Sequence, residues 1–160
     1  RRKMIYMNPK MRDSFNDVCS HENLSTELSC ILDKGFVEIN KCVFFSWLWS
    51  DEYSNDITID NIREQFLDFS GYEFSINKIY IEDYIHKNVK KESFCFVNAF
   101  KAKWNKVFPN KPCVLFLCFK SNEFGFSSIF SFHVKRIGEC ILDISSIEKF
   151  EDEIYVEILN

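Results

Sequence analysis

The chain has 160 residues, 46% of them hydrophobic and 28% charged, so it is long enough to bury a core and too apolar to be read as disordered. Four Gly and three Pro exclude collagen-like and low-complexity classes, while 18 Phe point to an aromatic interior. The net charge of −4, with a pI near 5.4, sets the molecule as a whole against binding a polyanion.

Taken in order, the apolar residues Met4, Met7, Met11 and Phe15 have helical spacing across Met4–Asp17, interrupted by Pro9. Leu24, Leu28, Ile31 and Leu32 form a second helical stripe, which Gly35 is placed to end. Phe36–Ile39 and Cys42–Trp49 read as strands joined at Asn40-Lys41, with Val43, Phe45, Trp47 and Trp49 expected on one face. The polar segment Ser50–Asp56 reads as a loop. Asp60 caps a predicted helix carrying Ile59, Ile62, Phe66 and Phe69, with Gly71 as its stop, and Ile76–Asp83 reads as a strand.

Phe94–Phe108 is the plainest helix. Val97, Phe100, Trp104 and Val107 make its apolar stripe, opposite Lys101, Lys103 and Lys106, and Pro109 and Pro112 follow it. Cys113–Phe119 is a continuous apolar run suited to a strand covered on both faces. Across Phe126–Arg136 the residues alternate, Phe130, Phe132 and Val134 against Ser131, His133 and Lys135. A turn at Gly138-Glu139, a short strand Cys140–Asp143, a helix opened by Ser145 and Glu148, and a strand Ile154–Leu159 complete the chain. The expected fold class is α+β: a mixed, mostly antiparallel sheet with helices packed against it, one domain over 1–160, and residues 1–12 as a loose basic arm.

Charge is distributed in blocks. Residues 1–12 hold five bases and no acid; residues 13–86 hold 15 acids against Lys34, Lys41, Arg63 and Lys78. Residues 87–120 reverse this with eight Lys against Glu92, and residues 121–160 are acidic again. An acidic surface steers a basic partner; the bland alternative is that unlike blocks lie side by side as solvated faces.

Chemistry-bearing motifs are scarce. The seven Cys sit mostly among Val, Leu, Ile and Phe, where a reduced thiol is a small hydrophobe. Cys19 with His21, and Cys113 with Cys118, are the nearest approach to zinc spacing, but the second pair alternates across a strand. His133 is expected to pack rather than act as a base, and no glycine loop is present to cradle phosphate. No enzyme, cofactor or small-molecule substrate is expected. The lysines of 87–120, with Trp104, make a nucleic-acid surface the alternative, although Trp104 belongs to the apolar stripe. No apolar run approaches the ~20 residues of a membrane span, and no signal-peptide core follows Arg1-Arg2-Lys3, so a cytoplasmic protein is expected.

The segment IFSFHVKRIGECILDISSIEKFEDEIYVEILN (129–160) resembles the C-terminal region of immunity proteins from bacterial contact-dependent growth-inhibition systems. The resemblance covers the last fifth of the chain. It implies a small, cytosolic, non-enzymatic protein that binds and neutralises a cognate toxin domain, often a nuclease. The resemblance carries over no contact position; the charge layout instead suggests that acidic surface would occlude the toxin's basic cleft, with Asp51, Glu52, Tyr53 and Asp56 in one cluster and Glu82, Asp83 and Tyr84 in another as the expected contacts. Exposed strand edges and surplus Phe would equally serve a homodimer.

Overall fold

The computed structural model describes residues 4–18, 23–49 and 59–160. In chain order these form β1 (Met4–Met7), α1 (Pro9–Asp17), α2 (Thr26–Asp33), β2 (Phe36–Ile39), β3 (Cys42–Phe45), α3 (Ile59–Phe66) and α4 (Phe69–Ile76). There follow β4 (Ile79–Tyr80), α5 (Val89–Val107), β5 (Cys113–Asn122), β6 (Gly125–Val134) and β7 (Glu153–Leu159), with 3₁₀ turns at Ile81–Asp83 and Ile144–Lys149. One sheet has the order β1-β7-β5-β6-β4, and β2-β3 is a separate hairpin. The fold is α+β, and every described strand pair is antiparallel.

Strand parity divides the core. Leu115, Leu117, Phe130, Phe132 and Tyr155 face the α5 side, where they meet Phe96, Phe100 and Trp104. Phe116, Ile154 and Val156 point to the opposite face, under Ile147 and Phe74. β5 is thus covered on both faces, as its unbroken apolar run requires. The hairpin docks on the α5 side through Phe36, whose ring lies 5.4–5.8 Å from those of Phe45, Phe100, Trp104, Phe108 and Phe132. Trp104 is fully buried, and its indole N–H donates to the Lys111 carbonyl at 2.8 Å, so the ring is core rather than a stacking platform.

Several expectations are corrected. Residues 4–17 are not one helix: Met4–Met7 pairs with β7, and the helix starts after Asn8. Asn8 Oδ1 accepts from Met11 N at 3.1 Å while its amide donates to the Asp152 carbonyl at 2.6 Å. Pro9 then occupies the first helical position, where its missing N–H costs nothing. Residues 4–12 are therefore built into the sheet edge and α1 rather than forming an arm. β3 ends at Phe45, so Trp47 stays with Phe45 (4.4 Å) whereas Trp49 stacks on Phe44 across the hairpin at 4.6 Å.

Gly71 lies inside α4, not at the end of α3. A Cβ there would meet the Phe66 carbonyl oxygen at 2.2 Å, so glycine is required by the close approach of two helix ends. The break itself falls at Leu67, held at φ 70°, followed by Asp68, whose carboxylate accepts from Gly71 N at 2.8 Å. The strand expected over Ile76–Asp83 shrinks to Ile79–Tyr80, Cys140–Asp143 is not a strand, and Asp143 rather than Ser145 caps the turn after it.

Candidate functional site: an acidic helical surface and two buried carboxylates

Of the expected contacts, Asp51, Glu52, Tyr53 and Asp56 lie outside the described residues. Glu82, Asp83 and Tyr84 fall in and just after a 3₁₀ turn, and they do not act as one surface. Glu82 accepts from Ser128 N at 2.9 Å, and Tyr84 packs against the main core, leaving Asp83 exposed.

The acidic character of the first half is instead displayed by its helices. Asp13, Asp17, Glu27, Asp33, Asp60 and Glu64 are all exposed, and none has an ion pair with a described residue. Asp13 with Asp17, and Asp60 with Glu64, stand at i, i+4, where like charges destabilise a helix by about 0.2–0.5 kcal/mol per pair. Asp17 and Asp33 are the last residues of α1 and α2, the end of the dipole that favours cations. Glu27 and Asp60 lie in the first turns of α2 and α3, where an acid helps the helix, but local helix stability does not account for Asp13, Asp17, Asp33 or Glu64.

The basic block behaves differently. Lys90 binds Glu153 (3.1 Å), Lys101 binds Glu157 (3.1 Å) and Lys111 binds Glu38 (2.7 Å). Three of the eight lysines in the block are thus drawn into ties between elements, while Lys87 and Lys106 stay exposed, as do the carboxylates of α1, α2 and α3.

Two buried carboxylates escaped the sequence reading. Glu73 on α4 and Asn77, the residue that caps its C-terminus one turn later, stand in for a strand beside the hairpin: Val43 N donates to Glu73 at 2.7 Å, Phe45 N to Asn77 Oδ1 at 2.9 Å, and the Asn77 amide donates to the Val43 carbonyl at 3.0 Å. On its other side Glu73 accepts from Val134 N at 3.1 Å and from Arg136, so α4 ties β3 to the end of β6. Arg136 also donates to the Lys41 carbonyl at 2.9 Å. Burial raises the Glu73 pKa against the opposing pull of Arg136 and the two backbone donors, and Glu73 in turn holds Arg136 protonated. Burial likewise lifts the neighbouring Cys42 thiol to about 12, leaving it inert.

Glu157 is on the α5 face of β7. Both its oxygens accept from Lys101, at 3.1 and 3.2 Å, and the Tyr155 hydroxyl donates to it at 2.5 Å. Lys101 and Tyr155 also line a cavity of about 240 Å³ whose apolar wall includes Ile5, Phe15 and Phe94. Burial first, then the Glu157 carboxylate, raise the Tyr155 pKa, so this phenol is a donor and not a base. Among the described residues no three His, Cys, Asp or Glu side chains gather as a metal site would need. Cys113 and Cys118 face opposite sides of β5, and Cys19 and His21 lie outside the described residues.

The sequence matches the model of the "Uncharacterized protein PM0498 family" over residues 6–160. The chain belongs to the PM0498 family. "Uncharacterized protein PM0498" of Pasteurella multocida (strain Pm70) is 35% identical over 158 residues, covering 98% of this chain and 100% of that protein. No solved structure matches. Among the described residues no helix is long and apolar enough to cross a membrane.

Proposed function

We propose that this PM0498-family chain is a non-enzymatic, cytoplasmic binding protein of the immunity type, which neutralises a toxin domain by covering a basic, nucleic-acid-binding cleft. The observation that carries this reading is a set of exposed carboxylates: Asp13, Asp17, Asp33 and Glu64 have no ion pair with a described residue and stand at positions that do not help their helices, whereas three lysines of the basic block, Lys90, Lys101 and Lys111, are tied internally. A nuclease cleft is basic because it holds phosphates. A protein that presents several carboxylates can occupy it and gains fast association from charge steering. The resemblance of residues 129–160 to immunity proteins of contact-dependent systems supports the same reading.

The test is co-expression with the toxin encoded beside the gene, followed by stopped-flow association of the purified pair. Charge reversal at Asp13, Asp17 and Asp33 should slow association severalfold and flatten its dependence on ionic strength. Survival of toxin-expressing cells without the protein, or an association rate indifferent to these substitutions, rejects the model. RNA or DNA affinity of the chain alone that falls steeply with salt would instead favour the lysine-rich region as a nucleic-acid surface.

A further inference from the structure

The sheet face opposite α5 holds a second cavity, of about 290 Å³, between that face, α4 and the segment that includes Ile141 and Leu142. Its floor is apolar: Phe116 and Cys118 of β5, Ile129 of β6 and Ile154 of β7. Strand parity explains the choice, since Cys118 is opposite both Ile129 and Ile154 in the register and all three point away from α5. Two ammonium groups border this apolar space. Lys120 follows Cys118 by one pleat on β5, and Lys78 immediately precedes β4, on the far side of Ile129. Lys120 has only a 3.9 Å approach to Asp152, and Lys78 rests over the Phe74 ring at 5.4 Å with no carboxylate partner among the described residues. Lys90, Lys101 and Lys111, by comparison, lie 2.7–3.1 Å from carboxylates.

We propose that this cavity is a binding site for a small amphipathic anion, an apolar chain or ring bearing one carboxylate, with the apolar part on Phe116, Ile129 and Ile154 and the carboxylate at Lys78 or Lys120. Ordinary ligand sites begin near 300 Å³ and combine apolar walls with a few polar groups that fix orientation. The volume here, at the bottom of that range, limits the ligand to a short chain or a single ring. Charge complementarity selects an anion at the Lys78 end: Lys78 and Lys120 border the cavity and no carboxylate lines it among the described residues, whereas Asp152 beside Lys120 offsets that cation. This site is separate from the acidic helical surface, and its occupancy does not depend on the proposed partner.

Octanoate, octanol and acetate serve as probes, titrated against the full chain and followed by methyl NMR and calorimetry. Octanoate should bind saturably and shift the methyls of Ile129, Ile141 and Ile154. Octanol should bind about twofold to fivefold more weakly, the size expected for exposed charge pairs, and acetate should not saturate. The Lys78→Ala/Lys120→Ala double variant should abolish the preference for octanoate over octanol while leaving octanol binding unchanged. The Cys118 thiol reports on the unaltered protein, because octanoate should slow its alkylation relative to that of exposed Cys140. Equal affinity for octanoate and octanol, shifts confined to another face, or no saturable binding would each overturn the proposal.

Discussion

Glu73 and Glu157 are both nearly inaccessible, at 0% and 2% exposure, and each has one cationic partner, yet they do different work. Glu73 sits where two β layers meet and accepts from two backbone N–H groups, Val43 and Val134, that would otherwise have no strand to pair with. Glu157 lies within one sheet whose backbone is already paired to β1 and β5, so its donors are the side chains of Lys101 and Tyr155. The difference teaches when a buried carboxylate is structurally necessary. Backbone donors left by an incomplete sheet must find an acceptor, because an unpaired buried N–H costs about 1–3 kcal/mol. A carboxylate held only by side chains can be exchanged together with them.

The largest expected effect comes from stranding the first carboxylate. Arg136→Ala leaves Glu73 buried without its cation and should cost about 3–5 kcal/mol in urea unfolding. Loss of the Lys41 contact should also loosen the β2-β3 hairpin, visible as faster amide exchange at Val43 and Phe45. A loss below about 1 kcal/mol would mean that the two backbone donors alone suffice.

A second experiment separates the two sites by replacing whole pairs. The Lys101→Met/Tyr155→Phe/Glu157→Leu triple variant removes both charges and the buried hydroxyl that donates to Glu157, and should be neutral or more stable by about 1–4 kcal/mol, as for other buried ion pairs replaced by apolar groups. The corresponding Glu73→Leu/Arg136→Met variant should remain destabilised, because Val43 N and Val134 N lose their acceptor. If both pairs tolerate replacement equally, the distinction drawn between backbone and side-chain donors fails.

The same distinction explains what could be read from sequence. Val97, Phe100 and Trp104 on α5 and the run Cys113–Phe119 declared themselves, because their periodicity is set by burial alone. The β7 segment EIYVEIL also alternates, and Glu157 shares a face with Tyr155 and Leu159, so a carboxylate aimed into the core was there to be found by parity. Glu73 carried no such signal, since the donor it satisfies, Val43 N, belongs to a hairpin edge thirty residues earlier in the chain. Local spacing misled where a single residue changed the geometry. Asn8 starts a helix that the spacing of Met4 and Met7 placed earlier, and Leu67, in a left-handed conformation, makes the stop that was expected at Gly71. The acidic surface was legible as a block of charge, but not which carboxylates it exposes, because Glu73 and Glu82 turn inward to backbone donors.

The smallest effect concerns pH and should appear only around Glu73. His133, 2% exposed, packs its ring 5.6 Å from that of Phe116 and donates from Nδ1 to the Val134 carbonyl at 2.8 Å. Burial lowers its pKa below the ordinary 6.5, with the Arg136 charge adding to that and the Val134 carbonyl, Asp68 and Glu139 opposing it. The unfolded chain therefore takes up a proton that the folded chain refuses. Stability contributed by the neutral imidazole is complete above pH 6.5 and is lost as pH falls from there toward the depressed folded value. Because Glu73 titrates in the same neighbourhood, the quantity to measure is the difference in unfolding free energy between the wild type and His133→Asn, whose amide can donate to the same carbonyl but does not titrate. That difference should shift against the wild type on going from pH 7.5 to pH 5.5, and the shift should persist in the Lys101→Met/Tyr155→Phe/Glu157→Leu background, since no His flanks that pair among its described neighbours. A flat difference would mean that His133 is solvated as freely when folded as when unfolded, and that the seam α4 closes admits water.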